Sequence, residues 1–79
     1  MDYNKLKLKA VDYAKEFLKT GDIRLNLSEN LNNKEWYIVV RLSQVYYNLM
    51  VKTITRDEAK KEQAEIFNFV KENKHYFEE

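Results

Sequence analysis

The sequence predicts an all-α fold, a compact three-helix domain with helices at about 3–20, 33–52 and 55–77. Three observations predict it. The chain has no proline and a single glycine, Gly21, so it holds few residues that break helices or force turns. Apolar residues recur three and four positions apart through the first twenty residues and again from Ile38 onward, the period of an amphipathic helix. Asn32 or Asn33 can cap the second helix, and Asn32 with Glu35, like Thr55 with Glu58, has the three-residue spacing of a capping box at a helix start.

The first helix turns Tyr3, Leu6, Ala10, Tyr13 and Phe17 to one broad apolar face, with Val11, Ala14 and Leu18 beside it. Lys5, Lys9, Asp12, Lys15, Glu16 and Lys19 fall mostly on the other side. Gly21 follows the last periodic residue, where a left-handed glycine can close a helix. Residues 22–32 are less regular. Ile23, Leu25 and Leu27 alternate as in an extended segment, while Ile23, Leu27 and Leu31 are spaced by four. Asparagines at 26, 30, 32 and 33 favour turns and caps, so this stretch reads as a connector pinned to the core by its leucines.

From Trp36 to Val51 the chain is apolar on nearly every side. Ile38, Leu42, Val45 and Leu49 form one stripe, and Trp36, Val39, Val40, Tyr47 and Met50 form a second. Only Tyr37, Arg41, Gln44, Asn48 and Lys52 define a polar strip. A helix this widely apolar is central to its bundle or carries an exposed patch. The alternative is an α+β fold with a hairpin at 23–42. Residues 36–42 are rich in β-formers, and Ile23–Leu27 alternates just upstream, so the two could pair around Asn30–Lys34. Against it, residues 36–42 run without a break into the helical stripe that reaches Met50.

Thr55 and Glu58 give the third helix the clearest start in the chain, and Asp57 and Glu58 place negative charge at the positive end of its dipole. Ala59, Ile66, Val70 and Phe77 make its inward stripe, flanked by Phe67, Phe69 and Tyr76. Asp57, Lys61 and Glu65 have helical ion-pair spacing on the wet side. The short turn at Thr53–Thr55 requires the second and third helices to pack antiparallel.

Seventy-nine residues allow one domain, 1–79. Without cysteine the chain can form neither a disulfide nor a thiolate metal site, which argues against a small secreted scaffold. No run approaches the roughly 20 apolar residues of a membrane span, and Met1–Lys9 lacks the apolar run of a signal peptide. The expectation is a cytoplasmic protein with no membrane partner. The formal charge of +1 divides into +2 over residues 1–20 (five lysines, three acids) and −2 over residues 55–79 (five basic, seven acidic). Neither end generates a strong field for nucleic acid or an anionic membrane.

Residues that could carry chemistry are sparse. His75 is the only histidine and has no second imidazole or thiol to share a metal with. Ser28 and Ser43 are the only serines, neither in a strand–turn–helix elbow; Ser43 reads as a small residue packed against a neighbouring helix. Asp57, Glu58, Glu62 and Glu65 are interleaved with Lys60 and Lys61 and form no calcium loop, so they read as a solvated face with a capping role. The sequence therefore predicts no enzyme, no metal and no cofactor. Tyr37, Arg41, Gln44 and Asn48, edged by Trp36 and Tyr46, form the best candidate for protein binding, since Tyr, Trp and Arg are enriched at interface hot spots. An alternative is nucleic-acid binding by the first helix, with Lys5 and Lys9 on one face and Tyr3 and Tyr13 placed to stack on bases. A second alternative is a homodimer that buries the apolar excess of the second helix.

The stretch from Arg41 to Gln63, with Ile-Thr-Arg-Asp-Glu-Ala at 54–59, resembles a hairpin seen in small phage and mobile-element proteins. There a tyrosine-bearing helix ends in a turn of the type Ile-Thr-x-Glu-Glu-Ala and a charged helix follows. Here Thr53 stands where a glycine commonly precedes the isoleucine. The Asn- and Lys-rich composition is similar to that of proteins from AT-rich genomes and their phages. Those with known roles include inhibitors of host defence, anti-CRISPR proteins among them. The resemblance implies a small non-enzymatic inhibitor of a bacterial defence complex that acts by occupancy, and it assigns no residue a role.

Overall fold

The computed structural model describes residues 2–21 and 31–77. Every regular element within them is helical: α1 (Tyr3–Thr20), α2 (Asn33–Met50), α3 (Arg56–Glu72) and a short α4 (Lys74–Phe77). The α1 N-terminus is capped by Asp2, whose side chain accepts from the Lys5 amide at 3.2 Å. At its other end Gly21 is left-handed (φ 74°) and its N–H donates to the Phe17 carbonyl at 2.7 Å.

Both capping boxes form. The Asn32 side chain accepts from the Glu35 amide at 2.8 Å, and the Glu35 carboxylate accepts from the Asn32 amide at 3.2 Å. Thr55 and Glu58 make the same reciprocal pair at 3.2 and 3.1 Å. The first box starts α2 ahead of the β-forming run, so residues 36–42 are helical and supply no strand. The other half of the alternative hairpin, Ile23–Leu27, lies outside the described residues. Tertiary burial explains why propensity loses here: as a helix, residues 38, 39 and 42 reach the core together, each 0% exposed.

Two helix ends differ from the sequence expectation. α2 stops at Met50 instead of 52, because the chain turns left-handed at Lys52 (φ 62°). The Lys52 amide donates to the Leu49 carbonyl at 3.2 Å and the Thr53 amide to the Asn48 carbonyl at 2.9 Å, the paired bonds of a Schellman motif. The strained position is therefore Lys52; Thr53 adds a hydroxyl bond to the Asn48 carbonyl at 3.0 Å. A non-glycine left-handed residue costs roughly 1–2 kcal/mol, part of which glycine returns as unfolded-state entropy. Lys52→Gly is accordingly expected to stabilise the protein by roughly 0.5–1 kcal/mol. The thermal midpoint should rise by a few degrees; a fall would show that the lysine side chain supports the turn.

The third helix ends at Glu72 rather than continuing to 77. Asn73 interrupts it (φ −114°, ψ 39°): its side-chain amide donates to the Phe69 carbonyl at 2.9 Å, competing with the backbone. The Asn73 carbonyl then accepts from the amides of Tyr76 and Phe77, which starts α4.

The central element is α2, packed against α1 on one side and α3 on the other. The core joins Leu6, Ala10 and Tyr13 of α1, Ile38, Val39, Leu42 and Val45 of α2, Ala59, Ile66 and Val70 of α3, and Phe77 of α4. α1 also reaches α3 at one edge, where the Tyr3 and Phe67 rings meet at 4.9 Å with Lys7 lying 5.3 Å from the Phe67 ring. Burial of each large apolar side chain stabilises by about 1.5–3 kcal/mol, so this seam around α2 is the main source of order.

Candidate functional site

The side of α2 turned away from the core carries Tyr37, Arg41, Gln44 and Asn48, at helical spacing of four, three and four. They form one wall of an open groove of about 370 Å³ between α2 and α3. Glu62, Glu65, Ile66 and Phe69 of α3 form the opposite wall, with Val45 at the floor. A hydrogen bond fixes how the walls face each other: the Tyr46 hydroxyl donates to Gln63 Oε1 at 2.6 Å. Partial burial raises the Tyr46 pKa above its ordinary value of 10.0. The neutral phenol is the form that the fold favours, so this contribution is intact below pH 10 and is lost as pH rises through the shifted value.

The groove is chemically graded. At one end the Tyr37 and Phe69 rings lie 6.3 Å apart, each also near Phe77 at 6.2 and 5.9 Å. Tyr37 is 43% and Phe69 45% exposed, so these rings are available to a partner. Cations rim this end: the Arg41 guanidinium is 5.8 Å from the Tyr37 ring centre, and Lys34 Nζ is 4.6 Å from that of Tyr76. At the other end Gln44 and Asn48 face Glu62 and Glu65. Gln44 and Asn48 also border a second groove of about 360 Å³ against α1, lined by Tyr13, Ala14, Phe17, Ser43 and Tyr47. The amides thus form a ridge between two hollows.

Four of the five residues expected to bind protein are brought together. Trp36 is not with them. One position before Tyr37, it turns toward α1 and packs against the Tyr13 ring at 5.6 Å. The residues expected to meet nucleic acid do not converge. Lys5 is exposed and Lys9 half-buried, but Tyr13 is only 7% exposed. A ring buried between α1 and Trp36 has no face to offer a base, and the Tyr3 ring is occupied by Phe67.

Ser43 is 3% exposed and its hydroxyl donates to the Val40 carbonyl at 2.7 Å, which makes it a packing residue. His75 is exposed on α4. Among the described residues no three His, Cys, Asp or Glu side chains converge on a possible metal position, and no helix is long and apolar enough to cross a membrane. The α3 wall escaped sequence reasoning because Glu62 and Glu65 read as solvated charge and Phe69 as a flank. The short α2–α3 connection was the available signal, since an antiparallel pair sets residues near 62–69 beside 37–48.

Neither the protein-family models nor the curated proteins nor the solved structures include a match to this chain.

Proposed function

We propose that this chain is a small non-enzymatic protein-binding domain, a three-helix fold extended by α4, that docks a protein partner along Tyr37, Arg41, Gln44 and Asn48. It acts by occupancy, covering a surface of its partner. The observation that carries this reading is the strip's position on the wall of an open groove with two half-exposed rings, a rimming arginine and two free-standing side-chain amides. Such a set supplies desolvated aromatic anchors together with orienting hydrogen bonds, the composition of interface hot spots. The hairpin from Arg41 to Gln63 gives the proposal its setting: a phage-encoded, anti-CRISPR-like inhibitor of a bacterial defence complex, working in the host cytoplasm.

The test is affinity capture from bacterial lysate followed by titration of the purified partner against the wild type, Tyr37→Ala and Arg41→Ala. Each substitution is expected to weaken binding by about 10- to 30-fold, the effect of removing a hot-spot side chain worth about 1.4–2 kcal/mol. Lys5→Ala, on the exposed side of α1, should bind as the wild type does. Unchanged affinity for both groove variants would sink the proposed surface.

A further inference from the structure

We draw no further inference here: the strongest candidate, the open α2–α3 groove with the half-exposed Tyr37 and Phe69 rings at one end and the Glu62 and Glu65 carboxylates on its α3 wall, belongs to the site already described, and nothing in the structure shows what covers it.

Discussion

Leu42→Ala is expected to remove most of the protein's stability at ambient temperature. Leu42 lies near the middle of α2, is 0% exposed, and belongs to the seam where α1 and α3 meet the central helix. Truncating a fully buried leucine removes its transfer free energy and leaves a cavity, a loss of about 3 kcal/mol. In a chain this short a single core rarely supplies more than about 3–5 kcal/mol, so one such loss consumes most of the margin. Urea denaturation should show the midpoint collapsing toward zero denaturant. Leu8→Ala is the control: Leu8 is 69% exposed on α1, and its truncation should shift stability by no more than about 0.5 kcal/mol. A Leu42→Ala loss below about 1 kcal/mol would show that the site can collapse around the gap, and that α2 is less central than its burial implies.

Local signals account for what the sequence revealed. Caps and the helical period act within four residues, so Asn32, Glu35, Thr55, Glu58 and Gly21 could be placed before any tertiary contact was known. The Tyr37–Asn48 strip was legible for the same reason, as its members share one helix. What escaped requires knowledge of who packs on whom. Trp36 and Tyr37 are adjacent in sequence yet face different helices, because one residue rotates a helix by roughly 100°. The Tyr46–Gln63 bond and the acidic wall of the groove depend on the antiparallel register of α2 and α3. Lys52 and Asn73 escaped for another reason. The turn imposes a left-handed conformation on a lysine that has no preference for it, while Asn73 does favour turns and was outweighed by an apolar stripe that continues to Phe77. Propensity also misled where residues 36–42 favoured a strand, since burying Ile38, Val39 and Leu42 on one side outweighs a β preference of about 1 kcal/mol.

Phe77→Ala is expected to cost about 3 kcal/mol and to loosen the aromatic end of the groove with it. The ring is 5% exposed and stands among Tyr37, Phe69 and Tyr76, with the Tyr76 ring edge-on at 5.0 Å. α4 is a single turn, Lys74–Phe77, too short to be stable by itself, so this ring is what fastens it to α2 and α3. Phe77→Leu separates burial from aromatic contact: most of the apolar area returns, and the remaining loss should be about 1–2 kcal/mol, from the ring contacts with Tyr37, Phe69 and Tyr76. Urea titrations of the two variants, together with amide exchange of residues 74–77, read both effects. Exchange should approach that of free chain in Phe77→Ala and stay protected in Phe77→Leu. Equal stability of Phe77→Ala and the wild type would mean that α4 rests on the surface without holding it. If the expected loss appears, Tyr37 and Phe69 become more mobile in the same variant, because Phe77 is the ring both of them lean on. Partner affinity through the groove should then fall in Phe77→Ala under conditions where the variant is still folded. That would tie the binding surface to the packing of the last helical turn.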